Sequence, residues 1–368
     1  MAKKMEAVQP VEQPSIYNAK EKETAIFKCE ACGSNLIYFP KDNKLGCLHC
    51  GAKVDFPKDS NIIPMDFLSN TKKNMQSTWN ETVVYRCNNC GAKEIISKYE
   101  IAKSCPFCGT TNVVVTNELP GLTPNAILPF KIDVEDAKRN FKAWIKKDFL
   151  APNRLKKWAE SDQINGVYSP CYSFSTNTFS TYSGKLGKYY TVSNGKTTQT
   201  RIRYFNINGR YDFSFKDILI ECGPKITQNV VEKLKPFLIG DAYKYNQRFL
   251  SGYSASNYDK TAQVSFEEAK SIMQRILREK ILSKYSYDVV ADLNISTSYN
   301  DINFNYLLLP IYICNYKYNN KVFNFYINGT NGKVYGKKPR SAWKITGLLL
   351  GAAAIITGIV FLVKLFIG

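Results

Sequence analysis

Four pairs of cysteines in the first third of the chain constrain its fold more than any other feature. Each pair has the spacing Cys-x2-Cys, and fourteen residues separate the first pair from the second and the third from the fourth. Such a turn places two thiolates on one side, and a hairpin that brings a second turn opposite completes a tetrahedral site for Zn²⁺. We therefore predict two structural zinc ions, each in a small antiparallel ribbon. The predicted ligands are Cys29, Cys32, Cys47 and Cys50 in the first ribbon and Cys87, Cys90, Cys105 and Cys108 in the second.

The residue that follows each pair supports this interpretation. It is glycine in all four cases, at positions 33, 51, 91 and 109, and we expect a left-handed backbone there because glycine adopts it without strain. An iron–sulfur centre is an alternative use of four thiolates. Thioredoxin-type exchange needs a pair at a helix start beside a βαβ unit, which these surroundings do not indicate. With four sulfurs at each site, we expect a structural role rather than catalysis.

The remaining nucleophiles and bases argue against a hydrolase. His49 is the only histidine, so a Ser-His-Asp or Cys-His centre built around a separate core histidine is excluded. It lies between Cys47 and Cys50, and we expect an exposed turn residue rather than a metal ligand. Cys171 and Cys314 stand in apolar stretches, where cysteine behaves as a small buried side chain. We predict no catalytic residues and no enzymatic activity.

The C-terminal region contains an apolar segment of the length that crosses a membrane. Residues 345–363 contain no charged side chain, and nineteen helical residues extend about 28 Å, close to the thickness of a hydrocarbon core. A buried helix of a soluble domain is the alternative, but helices that are apolar on every side are uncommon outside membranes. We predict a transmembrane helix over residues 343–366.

Charges around this segment predict its orientation. Lys333, Lys337, Lys338, Arg340 and Lys344 precede the span and only Lys364 follows it. The positive-inside rule then predicts a single-pass protein of the cell membrane with its large N-terminal part in the cytoplasm. The polar N-terminus shows no secretory signal, in agreement with reduced thiols. We also expect anionic lipid near Lys337, Lys338, Arg340 and Lys344.

The region between the second ribbon and the span predicts an α+β fold with a weak internal repeat. Apolar positions with helical spacing follow Asp133 and recur after Ser265, where Ser265 and Glu268 match a capping box. Each helix precedes strands in which aromatic and β-branched residues alternate with polar ones. We predict two related units, each a helix on an antiparallel sheet, at about 131–225 and 262–338. A single larger α+β domain is the alternative.

These predictions define an order of segments. In chain order, the predicted segments are a disordered polar tail (1–24), zinc ribbon 1 (25–57), a linker (58–82), zinc ribbon 2 (83–116), a proline-rich linker (117–130), the α+β domain (131–340) and the transmembrane helix (343–366).

Several short motifs resemble a known family. The two ribbons, LPFKID, GVYSPCYSF, FLSGYSASNYD and NGTNGKVYG before a terminal span resemble the bacterial YdjG-like zinc-ribbon membrane proteins. The resemblance implies a membrane-anchored adaptor in envelope-stress response, encoded near phage-shock protein A and SPFH proteins, which it suggests as partners. It implies the eight cysteines as metal ligands and no catalytic residues.

Net charge leaves two main function classes open. The formal charge is +19, which suggests an anionic partner such as nucleic acid or a membrane surface. We expect a non-enzymatic adaptor that recruits protein partners to the cytoplasmic face of the membrane. A membrane-tethered nucleic-acid-binding zinc-ribbon protein is the alternative, and an enzyme is the least favoured class.

Overall fold

The chain adopts a mixed α+β architecture in the computed structural model. The structure describes residues 27–70, 82–97, 105–110, 113–116, 122–153, 155, 164–193, 195, 197–318 and 321–367. The predicted polar tail over 1–24 lies outside the described residues. The fold class predicted from the sequence, mixed α+β with an apolar C-terminal helix, is confirmed at this level.

The helices and strands have the following bounds. The strands are β1 (Leu36–Phe39), β2 (Lys44–Cys47), β3 (Lys53–Val54), β4 (Met65–Asp66), β5 (Thr82–Cys87), β6 (Lys93–Ser97), β7 (Val113–Thr116), β8 (Ala126–Ile127), β9 (Ile164–Ser193), β10 (Thr198–Glu221), β11 (Tyr243–Lys244), β12 (Ser254–Ser256), β13 (Val289–Tyr318), β14 (Lys321–Asn328) and β15 (Val334–Gly336). The helices are α1 (Phe67–Asn70), α2 (Val134–Lys146), α3 (Gln228–Leu234), α4 (Ala262–Leu282) and α5 (Ala342–Ile367).

Two strands of thirty residues each form the centre of the fold. β9 and β13 run antiparallel, with partners from Ile164 beside Cys314 to Gly187 beside Val289. β10 pairs with the other edge of β9, from Cys171 to Ser193. β14 pairs with the C-terminal part of β13. The segments 167–174 and 308–315, which carry the repeat pattern, are therefore neighbours in one sheet.

Helix α2 covers one part of this sheet as its pattern predicts. Asp133 is the N-cap, and its carboxylate accepts a hydrogen bond from the Asp136 amide at 2.7 Å. Ala137, Phe141 and Ile145 are buried in the core, a spacing that places them on one helical face.

Helix α4 begins earlier than the sequence predicts. Thr261 is its N-cap and accepts a hydrogen bond from the Val264 amide, whereas Ser265 lies inside the helix with its side chain buried. The predicted capping box at Ser265 is therefore wrong. The reason is that Thr261 supplies the same cap chemistry one turn earlier, which lets the helix gain a turn while Phe266 remains buried.

Both stretches predicted as linkers contribute strands to the large sheet. Within 58–82, β4 pairs with Asn303 and Phe304 of β13. Within 117–130, β8 lies between β11 and β13. These strands have two residues each, so their pairing depends on the long strand beside them rather than on their own sequence.

The long strands continue beyond the packed body as an arm, which we define as residues 179–193, 198–211 and 289–298. The C-terminal turns of α4 cover one face of the arm, where Tyr182, Leu186 and Ile281 are buried together. Val289, the first residue of β13, pairs with Gly187 of β9. Past this level only β9 and β10 continue. We call this last part, residues 188–193 and 198–203, the hairpin tip.

A buried carboxyl lies in the core where β9 and β10 enter the body. Oε1 of Glu221 accepts hydrogen bonds from Ser169 Oγ at 2.9 Å and from the Gly223 amide at 3.0 Å. Oε2 has no hydrogen-bond partner among the described residues. Burial raises the pKa of Glu221 to about 8 from its usual 4.5, because the apolar surroundings penalise the charged form.

We expect this carboxyl to make stability fall with rising pH. Between about pH 4.5 and 8 the folded state retains a proton that the unfolded state has released, so the free energy of unfolding decreases as pH rises. Glu221→Gln should remove this part of the decrease. The measurement is the urea midpoint of the full chain in detergent micelles at pH 6 and pH 9.

The control is Asp212→Asn, which changes an exposed carboxylate in the same strand and should keep the pH dependence of the unaltered chain. An equally steep decrease in Glu221→Gln would contradict the assignment.

Candidate metal centres

The eight predicted ligands converge into two groups of four sulfur atoms. In the first group, Sγ of Cys29 lies 3.5 Å from Sγ of Cys50, and Sγ of Cys32 lies 3.4 Å from Sγ of Cys47. The corresponding distances in the second group are both 3.7 Å, from Cys87 to Cys108 and from Cys90 to Cys105. Within each group all sulfurs lie within 4.8 Å of one another. A tetrahedral ion with bonds of about 2.3 Å separates its sulfurs by about 3.8 Å, so each group can hold a metal ion.

The four turns share one backbone geometry, which explains the glycines. In the first turn the Gly33 amide donates to the Cys29 carbonyl at 2.7 Å, and the Cys29 amide donates to the Ser34 carbonyl at 2.8 Å. The same two bonds recur in the other three turns. The glycine φ angles are +73°, +75°, +71° and +72° in chain order. The predicted left-handed conformation is confirmed, and it turns both thiols of each pair toward the metal position.

His49 does not join either group. The first group comprises four cysteines without it, and the residue is exposed in the turn between Cys47 and Cys50.

Ribbon 1 is a separate small sheet that packs on the body through aromatic side chains. Strands β1, β2 and β3 form this sheet, and the Tyr38 amide of β1 donates to the Ser251 carbonyl at 3.0 Å. The Tyr38 and Phe56 rings meet the Phe249 ring with centroid distances of 5.3 and 4.9 Å. The first metal group is therefore held on the domain rather than on a loose tether.

Ribbon 2 is continuous with the large sheet. Its strand β6 pairs with β12, and β12 pairs in parallel with β9. Cys87 and Cys105 belong to the same buried cluster as Val167 and Ile311 of the long strands. The Asn315 side-chain amide also donates to the Pro106 carbonyl at 2.5 Å.

The two ribbons expose different parts of their second turns. In ribbon 2 this turn contains Pro106 and Phe107, and Phe107 is only 4% exposed because it packs on the body. In ribbon 1 the equivalent positions are Leu48 and His49, and Leu48 is 75% exposed. Only the ribbon 1 turn therefore presents a large apolar side chain to solvent.

The remaining cysteines belong to neither group. Cys171, Cys222 and Cys314 are buried in the core. Burial raises the pKa of all three thiols well above their usual range. Because the thiolate is the nucleophilic form, their position disfavours thiol chemistry.

The apolar C-terminal helix is fastened to the body at its first turn. Lys344 donates to the carbonyls of Phe149 and Ala151, at 3.0 and 2.8 Å, and to the Asn153 side-chain oxygen at 2.9 Å. The Ser341 amide donates to the Leu150 carbonyl at 2.9 Å. Beyond this point α5 leaves the body. It is long and apolar enough to cross a membrane, with a mean hydropathy of 1.6 over Ala342–Ile359.

Lys338 is also bound inside the protein. Its ammonium lies 3.8 Å from the centroid of the Trp144 ring and 3.5 Å from the Asp148 carboxylate. Two of the four basic residues expected near anionic lipid, Lys338 and Lys344, are thus engaged in intramolecular contacts. Periodicity in the sequence gave no signal for these contacts, because their partners lie almost two hundred positions earlier in the chain.

We expect the purified chain to contain two metal ions. Cys32→Ser should lower this to one, since a three-sulfur site loses most of its affinity while the other ribbon is unaffected. Elemental analysis of the full chain in detergent measures both values. Cys222→Ala, which removes a buried thiol outside both groups, should retain two ions. A metal-free protein, or loss of both ions in Cys32→Ser, would contradict independent sites.

Comparison with known proteins identifies a relative of similar length. Over 340 residues the chain is 26% identical to a protein of Bacillus subtilis (strain 168) described as uncharacterized protein YdjG, and the match covers 89% of this chain and 94% of that protein. No family model and no solved structure matches. This similarity over most of both chains supports the resemblance to YdjG-like proteins that the sequence motifs indicate.

Proposed function

We propose that the chain is a non-enzymatic, membrane-anchored zinc-ribbon adaptor that recruits protein partners to the cytoplasmic face of the cell membrane. The observation that supports this most is the continuous series of packing contacts from ribbon 1 through the body to the anchor. Ribbon 1 packs on the body through Tyr38 and Phe56, and the body holds the start of α5 through Lys344. A partner bound at the ribbon would be held at a fixed place beside the membrane, where confinement raises its effective concentration.

Zinc is the metal we assign to both sites. Four thiolates form a soft donor set, which favours zinc or iron–sulfur centres over hard cations. A closed tetrahedral zinc site has a structural role and needs no open coordination position. The bound ions would stabilise the turns that shape the ribbon surface.

The membrane contact extends from α5 to the loop that binds it. Phe149 is 67% exposed and Trp343 is 88% exposed, and the Phe149 carbonyl accepts a hydrogen bond from Lys344 in the first turn of the span. Exposed aromatic side chains at that level are typical of the membrane–water interface. Lys337 and Arg340 are exposed nearby and can meet anionic headgroups.

The partner surface that we assign is the second turn of ribbon 1. Leu48 and His49 are exposed there, between two of the metal ligands. An exposed apolar residue at a metal-stabilised turn is a small anchor point of the kind that protein interfaces bury. The resemblance to YdjG-like proteins suggests that the partner is an SPFH protein or a phage-shock protein A-type protein acting in envelope stress.

A change at Leu48 should separate recruitment from folding. Leu48→Asp places a charge where an apolar contact is proposed, and it should reduce partner recovery at least ten-fold, since burying an unpaired charge is strongly unfavourable. The measurement is a crosslinked pull-down from membranes of cells that carry the full chain. Zinc content and membrane localisation should not change.

Ile63→Asp is the matched control, because Ile63 is as exposed as Leu48 but lies outside both ribbons. Normal partner recovery with Leu48→Asp would contradict the assignment of ribbon 1.

The position of Phe149 gives a separate test of the membrane contact. With p-benzoylphenylalanine in place of Phe149, we expect photocrosslinks to lipid in nanodiscs. The same group in place of Phe179, an exposed position on the arm, should give none. Equal lipid crosslinking at both positions, or none at position 149, would contradict the proposed level of the bilayer.

A further inference from the structure

The hairpin tip carries basic and aromatic side chains on two exposed, paired strands. Its register places Lys188 opposite Arg203 and Tyr190 opposite Arg201. Side chains that lie opposite each other in an antiparallel pair point to the same face, as do side chains two positions apart in one strand. One face of the tip therefore carries these three cations together with Tyr190.

These cations form no ion pair among the described residues, and the Asp288 carboxylate at the base of the tip accepts a hydrogen bond from the Tyr189 amide instead, at 2.8 Å. Lys188, Arg201 and Arg203 are exposed, and among the described residues none has a carboxylate within the 4.0 Å of an ion pair. The sequence from 179 to 211 contains no acidic residue. The basic residues in that stretch are Lys185, Lys188, Lys196, Arg201, Arg203 and Arg210.

Without a bound ligand, this arrangement of charges destabilises the pairing of β9 with β10. Like charges directly opposite each other destabilise an antiparallel pair, and Lys188 and Arg203 occupy such positions. Charges on an open edge do discourage pairing with other strands. That role does not require the two cations to face each other, nor does it account for exposed aromatic rings beside them.

The aromatic rings are available on both faces of the tip. Tyr189 is 55% exposed and Tyr204, at the base of the tip, is 46% exposed, and they lie on the face opposite Tyr190. The Arg203 guanidinium lies 5.1 Å from the centroid of the Tyr190 ring, and Lys185 Nζ lies 5.3 Å from that of Tyr204. Tyr190 and Tyr204 are thus each next to a cation, which is the combination that binds a base and its phosphate.

The tip is far along the sheet from the anchor. β15, which precedes α5, pairs with β14 at Phe325, and Phe325 is level with Cys314 and Ile164. From Ile164 to Ser193, the strand extends for at most about 95 Å. This separation favours a ligand outside the membrane over the lipid headgroups beside the anchor.

We propose that the hairpin tip binds single-stranded nucleic acid. Lys188, Arg201 and Arg203 contact phosphates, and the exposed tyrosines stack on bases. Because stacking and charge contacts read no base edges, binding tolerates different sequences. This surface is distinct from the ribbons and adds a second ligand class to the proposed adaptor function.

The test uses the full chain in nanodiscs of neutral phosphatidylcholine with a fluorescent twenty-nucleotide oligothymidine. Anisotropy should show binding that weakens with salt. The double variant Arg201→Ala/Arg203→Ala should bind at least ten-fold more weakly at low salt. The slope of log affinity against log salt should become shallower by about 1.4, as expected when two phosphate contacts to a single strand are lost.

The control Arg275→Ala/Arg278→Ala removes the same charge from exposed positions of α4 and should bind like the unaltered chain. Tyr190→Ala, on the same face as the three cations, keeps the net charge and should weaken binding about five-fold or more through lost stacking. Each of three results would overturn the proposal: equal weakening in the α4 control, unchanged binding in Tyr190→Ala, or tip-dependent binding to anionic vesicles without binding to the oligonucleotide.

Discussion

The pairing of β9 with β13 is the interaction on which the rest of the structure depends. Five strands of the large sheet pair directly with one of these two: β10 and β12 with β9, and β4, β8 and β14 with β13. The remaining strands of that sheet attach through these five. Ribbon 2 joins through β12, and the chain reaches the anchor through β14 and β15. Because these partners are distant in sequence, the chain must close long loops before the contacts form. Once they form, the two strands are paired from Ile164 and Cys314 to Gly187 and Val289, with two register shifts on the way.

The ribbons depend on two sources of stability, a bound metal ion and contact with the body. A ribbon of about thirty residues is too small to bury an apolar core, so a metal ion bound by its four cysteines would supply much of its folding energy. Here the body supplies the remainder, since Tyr38 and Phe56 of ribbon 1 are buried against Phe249. The surface of a ribbon is then defined by both its metal ion and its contact with the sheet. This explains why the equivalent turns differ, with Phe107 covered and Leu48 exposed.

The sequence predicted those features that depend on short, rigid spacing. Two cysteines and a glycine determine each metal turn, and Ala137, Phe141 and Ile145 determine the buried face of α2. Features that depend on distant partners could not be predicted in this way. Alternating residues in β9 and β13 indicate strands but not that they are neighbours, and β8 has too few residues to give a pattern. The start of α4 was missed because Thr261 and Ser265 are both suitable caps, and tertiary packing selects the first.

The lysines before the span have two different roles. Lys338 and Lys344 make contacts inside the protein, whereas Lys337 is exposed, and composition alone does not distinguish them. Lys338 and Lys344 are bound to Trp144 and to the loop at 149–153, so their charge contributes to the orientation of α5 relative to the body. The path continues inward, since the Phe141 ring on α2 lies 5.1 Å from that of Phe325 on β14. Strand β14 pairs with β13, and β13 with β9. If α5 spans the bilayer, this continuous packing sets the direction of the arm, because close-packed interiors transmit displacement rather than absorb it. The position of the hairpin tip relative to the membrane is therefore determined by the same contacts that hold the anchor.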